Sequence, residues 1–290
     1  MSGPAQSAFY ALKAGATHTR SAFWHVFTTP RRHTDGLRIL FYHRVSDEPD
    51  ELAVKPRRFR EQMAYLDSEG YRVVDVVTAA KLLGSGKPLQ RTIALSFDDG
   101  YLDNAEHALP VFSDYGFRAT VFIAPAVTDG TATFSWYSRQ PPLLDWDDLL
   151  ELDRDGTLRV EAHSLTHPNL LELDDPAART EIAGSKRALE ERLGRSVHAF
   201  SYPSGLFGER ERSLVREAGY RFAVSCEPGI NNGQTDPFAL RRRQIDARDT
   251  LLDFRAKVAG GHDSPPPLRS LYRRLRYGAP TDSPHFASSR

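Results

Sequence analysis

Between residues 37 and 225 the chain repeats one pattern, in which a short apolar run gives way to a helical stretch and then to another apolar run. The runs cover 37–42 (LRILFY), 71–76, 92–97 (TIALSF), 118–123 (RATVFI), 158–162 (LRVEA), 197–202 (VHAFSY) and 220–225 (YRFAVS). Helical periodicity falls over 103–115, 145–155, 176–193 and 209–218, and Phe59, Met63 and Leu66 mark one more helix. Strand, helix, strand repetition predicts a parallel sheet with crossover helices. About seven such strands in one stretch, without a long linker, predict an α/β fold, a distorted (β/α) barrel of about seven parallel strands. The Ser-Pro-Pro-Pro run at 264–267 reads as the end of that barrel. The expected organisation is a basic amphipathic segment over 1–36, the barrel over 37–263 and a basic tail over 264–290.

Composition narrows the class. Forty per cent hydrophobic residues, ten per cent of all residues aromatic, are enough for a sizeable core and exclude disorder as the main state. Lys and Arg balance Asp and Glu at 38 each, which excludes a globally basic nucleic-acid binder. The charge is uneven: residues 1–34 and 264–290 each carry +4, leaving −8 for the middle. Phe9, Leu12, Ala16, Phe23 and Val26 follow helical spacing, as do Leu268, Leu271, Tyr272 and Leu275 among arginines. Two basic amphipathic segments of this kind predict peripheral contact with an anionic membrane, or packing of both on the body. Cys226 is the single cysteine, so no internal disulfide forms. No apolar run approaches the ~18 residues of a membrane span, and Lys13, His18 and Arg20 interrupt any secretory signal core. The expected location is cytoplasmic, at the inner face of the membrane.

Polar residues just beyond the carboxyl ends of barrel strands are where chemistry is usually built. Four places qualify: His43, Asp98-Asp99-Gly100, His163, and the segment 201–205. His163 and His167, four residues apart in HSLTH, can offer two neutral nitrogens to a divalent metal from a turn or loop; the same spacing also fits ordinary surface histidines. Asp98 and Asp99 leave the strand in different directions, with Gly100 permitting a sharp bend. Alone, the pair also suits an Asp-rich turn or a helix cap. Together with the histidines, one carboxylate completes a His-His-Asp site with an open position for water, and the other is free to take a proton. The combination reads as metal-assisted hydrolysis.

Ser96-Phe-Asp-Asp-Gly100, His163-x-x-x-His167 and Phe200-Ser-Tyr-Pro-Ser-Gly205 resemble, in order, the first three motifs of the NodB-homology polysaccharide deacetylases, carbohydrate esterase family 4. Phe41-Tyr-His-Arg-Val45, Trp146-Asp-Asp-Leu149 and the helix over 181–194 resemble the branch containing poly-N-acetylglucosamine deacetylases, and the likeness runs over about 37–260. The resemblance implies removal of an acetyl group from an N-acetylated saccharide, with Asp98 as catalytic base and Asp99, His163 and His167 as ligands of a divalent metal, usually zinc, with cobalt or nickel tolerated. It implies attack by metal-activated water and an oxyanion donor in the third motif, the Ser204 backbone N–H. Tyr101, Tyr202 and Trp136 are the expected substrate contacts; Tyr101 and Asn104 either border the site or begin a helix, and Trp136 either stacks on a sugar ring or packs in the core.

This chain departs from the pattern in two places. Ser201 stands where many members carry an arginine that holds the base, and Arg242, in LRRRQI, is the candidate replacement. The histidine of the usual fifth motif is not recognisable, so His43 is the candidate general acid, with His262 as the other. Two other readings share the same residues: hydrolysis of an O-acetyl ester or of a non-sugar amide, and a non-catalytic saccharide-binding protein.

Overall fold

Strand β1 (Arg38–Tyr42) pairs in parallel with β5 (Thr92–Asp98), and the sheet grows outward from this pair. Seven strands run in the order β10 (Arg243–Gln244), β1, β5, β6 (Ala119–Ile123), β7 (Leu158–Ala162), β8 (Ala199–Ser201) and β9 (Phe222–Val224), all pairings being parallel. An eighth, β4 (Arg72–Val74), pairs with the first half of β5. The two edges are joined by one stretch of chain: Leu240 bridges Val224 on β9, and Arg243 and Gln244 pair with Leu40 and Phe41 on β1. A distorted barrel of parallel strands results, and the structure, a computed structural model, describes residues 15, 17–19, 21, 36–261 and 263 of the chain.

Alternation along each strand sorts side chains to two faces. Leu40 and Tyr42, Ile93, Leu95 and Phe97, Val121 and Ile123, and Val160 and Ala162 share the larger core cluster with the helices. Ile39, Ala94, Phe122, Ala199, Val224 and Leu240 form the other, with α2 (Val76–Gly84) packed among them. Ser96 and Asp98 have the parity of Ala94, and Ser201 that of Ala199, so these polar groups lie on the inner face. Outside, Phe59 of α1 (Pro56–Ser68) and Phe112 of α3 (Leu109–Tyr115) meet Phe97 with ring centroids 5.8–6.1 Å apart.

Local chemistry sets the helix ends. Pro56 opens α1 at a position where a missing N–H costs nothing. Asp145 caps α5 (Trp146–Asp155) by accepting from the Asp148 N–H, as its place before the apolar run predicts, and Asp174 does the same for α6 (Asp175–Leu193). The helix expected over 103–115 starts instead as a π-turn over Asn104–Ala108 before α3 begins. Pro110 lacks the N–H that an α-helical ladder would direct to Glu106, which favours the wider turn. The run expected as a strand over 71–76 stops at Val74, because the Asp75 carboxylate accepts from the Thr78 N–H and turns the chain into α2. The remaining elements are β2 (Arg44–Val45) paired with β3 (Ala53–Val54), α4 (Pro125–Thr128), α7 (Glu209–Glu217) and α8 (Leu251–Ala259). The β2–β3 pair, α2 and α8 are not anticipated by the apolar pattern.

Of the basic N-terminal segment, the described part includes His18, whose Nδ1 lies 2.5 Å from Asp253 in α8, and Ser21, which is buried. Phe9, Leu12, Ala16, Phe23 and Val26, the tail over 264–290 and His262 lie outside the described residues. Among the described residues no helix is long and apolar enough to cross a membrane.

Phe112 is fully buried in the aromatic cluster that seats α1 and α3 on β5. Phe112→Ala should lower unfolding stability by about 3–5 kcal/mol, read as a reduced urea midpoint with an unchanged slope.

Candidate active site

Asp98 is the last residue of β5, and the chain then turns through Asp99 at φ 74° and Gly100 at φ 71°. A left-handed non-glycine residue is costly. Here it is held by the Asp99 N–H donating to the Phe122 carbonyl at 2.9 Å. The turn sends the two carboxylates in different directions, as the Asp-Asp-Gly sequence predicts. His163 follows β7, and its N–H donates to the Ile123 carbonyl at 2.8 Å. The loop after it carries two more left-handed residues, Ser164 at φ 61° and His167 at φ 63°. Glu181 of α6 shapes this loop, accepting from the Leu165 and Thr166 N–H groups at 2.9 Å and from the Thr166 hydroxyl at 2.7 Å.

Three donor atoms converge at this end of the barrel. His163 Nε2 and His167 Nε2 are 3.2 Å apart, and each faces Asp99 Oδ1, at 3.7 and 3.9 Å. His163 Nδ1 is 2.8 Å from the Ser201 carbonyl, which places its proton there and leaves Nε2 as a lone pair. Burial pushes the His163 imidazole down to about 4 against the opposing pull of Asp98. His167 is held well below its ordinary value by burial and by His163. Both rings are therefore neutral at neutral pH, with lone pairs free to bind a cation. Tyr101 donates to Asp99 Oδ2 at 3.1 Å, while Oδ1 is buried without a hydrogen-bond partner. Burial first, and Asp98 second, push the Asp99 carboxyl well above its usual range. An orphaned carboxylate oxygen facing two imidazole lone pairs fits a divalent cation: the edge of a tetrahedron with bonds of ~2.1 Å is about 3.4 Å. Asp99, His163 and His167 are the residues that would hold it.

Asp98 has a different partner. Arg242, fully buried, donates to both its oxygens at 2.7 and 2.8 Å, to Ser96 Oγ at 3.2 Å, to Ser201 Oγ at 2.9 Å and to the Ser225 carbonyl at 3.0 Å. Its guanidinium lies 4.3 Å from the Phe41 ring centroid. Burial would raise the Asp98 carboxyl, but Arg242 and His163 outweigh it and hold it below the usual range. Ser201 thus meets Arg242, the arginine that does reach Asp98. His43, just past β1, is half-buried with its backbone carbonyl accepting from Asn104 Nδ2 at 3.0 Å. Burial lowers its pKa, and the charges of Asp98 and Arg242 act on it in opposite senses. Ser204 lies in a left-handed turn at φ 55°, with its side chain exposed.

Two of the three expected substrate contacts are placed otherwise. Tyr101 is fully buried and its hydroxyl holds Asp99, so it positions a ligand and presents no surface. Tyr202 is also fully buried, donates to the Phe238 carbonyl at 3.0 Å and stacks on Phe207 at 4.3 Å. It follows Ser201 directly, so strand alternation turns it outward. Trp136 is 43 % exposed, stacked on Phe134 at 4.6 Å, with its ring 4.9 Å from that of His167. Sequence reasoning missed Glu181, and missed Ser96 as an Arg242 partner, although Ser96 shares the parity of Asp98.

Three donors that could hold a cation lie beside an arginine-clamped carboxylate at the mouth of a parallel barrel, an arrangement suited to metal-assisted hydrolysis. Residues 85–223 match the family described as polysaccharide deacetylase. YxkH of Bacillus subtilis strain 168, named for the polysaccharide deacetylases, is 28% identical over 210 residues, covering 72% of this chain and 71% of its own. A poly-β-1,6-N-acetyl-D-glucosamine N-deacetylase of Staphylococcus epidermidis is 22% identical over 219 residues, covering 71% and 73%. The fold is similar to that of Streptococcus pyogenes deacetylase PplD (TM-score 0.67, 23% identity, 75% of this chain and 96% of that one). It is likewise similar to IcaB from Ammonifex degensii (TM-score 0.65, 24% identity, 79% and 98%). Residues 85–223 are thus similar to a polysaccharide deacetylase domain.

Removing Arg242 leaves a buried carboxylate uncompensated. Arg242→Met should cost about 3–5 kcal/mol of stability at pH 7. In the wild type the depressed Asp98 carboxyl contributes stability that is present above the unfolded value of about 3.9 and is lost as pH falls through its lower folded value. Without Arg242 burial raises that carboxyl, so the variant's deficit should shrink between pH 7 and 5, as read by urea unfolding at each pH. A deficit constant across that range would show that Asp98 is not the group responding.

Proposed function

We propose that the protein removes the N-acetyl group from an N-acetylated amino sugar within a poly- or oligosaccharide. The observation that carries the reading is the division of the Asp98-Asp99 pair, one carboxylate turned to two imidazoles and the other clamped by Arg242. A divalent ion held by Asp99, His163 and His167, with zinc the first candidate, supplies Lewis acidity that activates water and polarises the acyl oxygen. Asp98 is the general base: ionised and fixed by two hydrogen bonds from Arg242, it takes the proton of the attacking water. The Ser204 backbone N–H is the assigned donor to the acyl oxygen. His43, just past β1, is the assigned acid toward the departing amine; its lowered pKa leaves the free ring neutral, so the proton it donates is the one that Asp98 takes from the water. The exposed Trp136 face beside His167 is the assigned platform for the sugar ring. The related poly-β-1,6-N-acetyl-D-glucosamine N-deacetylases supply the first substrate to try.

Elemental analysis of the purified protein should find about one equivalent of divalent metal, lost in His163→Ala and retained in Asp98→Asn. Acetate release from β-1,6-linked N-acetylglucosamine oligomers should fall at least ~10³-fold in both variants. Acetate released only from O-acetylated saccharides would replace the amide reading with an esterase. Metal-free protein after reconstitution would remove the ligand set itself.

A further inference from the structure

The loop between α4 and α5 carries the Trp136 platform, and its attachment is not explained by the catalytic residues. Its far end is pinned to the Asp-Asp-Gly turn, where the Leu144 N–H donates to the Gly100 carbonyl at 2.9 Å and the Leu102 N–H to the Pro142 carbonyl at 3.0 Å. Inside the loop the Phe134 N–H donates to Gln140 Oε1 at 2.9 Å. At the tip, Tyr137 Oη donates to Asp50 Oδ2 at 2.6 Å, across 87 residues of sequence, from the loop to the segment between β2 and β3. Asp50 is fixed in turn by the Leu52 N–H at 2.9 Å and by Arg44 Nη1 at 2.9 Å. Buried Arg44 also binds Asp103 at 2.7 Å, in the turn that follows Asp98 and Asp99, and its guanidinium lies 5.6 Å from the centroid of the Tyr101 ring that holds Asp99. One arginine thus connects the ligand-bearing turn to the tip of the aromatic loop.

We propose that Tyr137 and Asp50 are positioning residues that latch the Trp136 shelf in register with the Asp99–His163–His167 centre, and so set the site's affinity for a sugar ring. This rests on the deacetylase reading above. A shelf on the seventeen-residue loop over 129–145 would otherwise sample many positions, and each lost contact lowers the fraction of molecules ready to bind a pyranose face. A neutral shelf made of Trp136 backed by Phe134 suits the apolar face of a sugar ring, so the class of ligand is an uncharged N-acetylated pyranoside. Burial raises the Asp50 carboxyl, but the bonds from Tyr137, Leu52 and Arg44 outweigh it and hold it below the usual range. Burial and the bond to Asp50 push the Tyr137 phenol up. The latch therefore keeps its donor and acceptor throughout the neutral range.

The test uses the metal-loaded full chain and the near-isosteric variants Tyr137→Phe and Asp50→Asn. With N-acetylglucosamine oligomers, KM should rise about tenfold in each while kcat changes less than about threefold. Acrylamide quenching of tryptophan fluorescence, with Trp136→Phe giving the background from the other two tryptophans, should rise about twofold for Trp136 in both variants. Unchanged quenching with unchanged KM would overturn the latch. A matched loss of kcat with KM unmoved would also overturn it, because the residues would then act on the reacting centre. A wild type that releases no acetate, yet whose Trp136 quenching rises in both variants, would overturn the deacetylase reading and leave the latch standing.

Discussion

The ion pair between Arg242 and Asp98 is the interaction on which the arrangement of the barrel's mouth depends. Both groups are almost entirely out of water, where a lone charge costs several kcal/mol even after relaxation. The pair is tolerable because its hydrogen-bonding capacity is nearly saturated: two bonds to the carboxylate, two to serine hydroxyls and one to a backbone carbonyl. Those partners come from β5, β8 and the end of β9, and the guanidinium also lies over aromatic rings of β1 and β6. Arg242 itself belongs to the stretch that joins β9 to β1. The residue that fixes Asp98 therefore sits in the segment that closes the barrel, so closure and the placement of that carboxylate are coupled through one side chain.

Strain is concentrated in the same place. Of the described residues, five that are not glycine have positive φ, and four of them, Asp99, Ser164, His167 and Ser204, lie in the three motif loops. Each such residue costs about 1–3 kcal/mol and persists only where its surroundings over-determine it. The surroundings are identifiable: the Phe122 carbonyl for Asp99, Glu181 and the Ser164 hydroxyl for the histidine loop. Gly205 closes the third loop so tightly that a Cβ there would come within 2.7 Å of the Cys226 backbone nitrogen. The lone cysteine thus marks a packing limit on that turn.

Much of this was legible in the residues. Apolar runs gave the strand order along the chain because parallel strands buried on both faces need continuous hydrophobic stretches. Asp98, Ser201 and Arg242 were each singled out by position, and the structure joins them. The aromatic neighbours of the motifs were harder. Tyr101 and Tyr202 sit two residues from Asp99 and one from Ser201, but a tight turn or strand alternation reverses the direction of a side chain, and both are buried in packed interior. The short β2–β3 pair carries too few residues for a period, and α2 begins at Val76, which reads as the end of the strand run over 71–76 until the Asp75 cap starts the helix there. Contacts such as Tyr137 with Asp50 have no local signature, since 87 residues separate them and only the closed barrel brings them together.

The adjacent carboxylates show how one short sequence can serve two chemical roles. Asp98 and Asp99 are equally buried, so desolvation alone would push both upward. Arg242 reverses the effect for Asp98 and leaves it an anion that can accept a proton. Asp99 receives a phenol instead of a guanidinium and also feels the charge of its neighbour, so it retains an uncompensated demand for positive charge. Pairs of titratable groups driven apart by their surroundings can take different chemical roles. The left-handed turn at Asp99 makes the division possible, because in an extended strand the second carboxylate would face the outer apolar cluster. Backbone strain, one buried arginine and one buried tyrosine together give the two carboxylates of Asp-Asp-Gly opposite electrostatic settings.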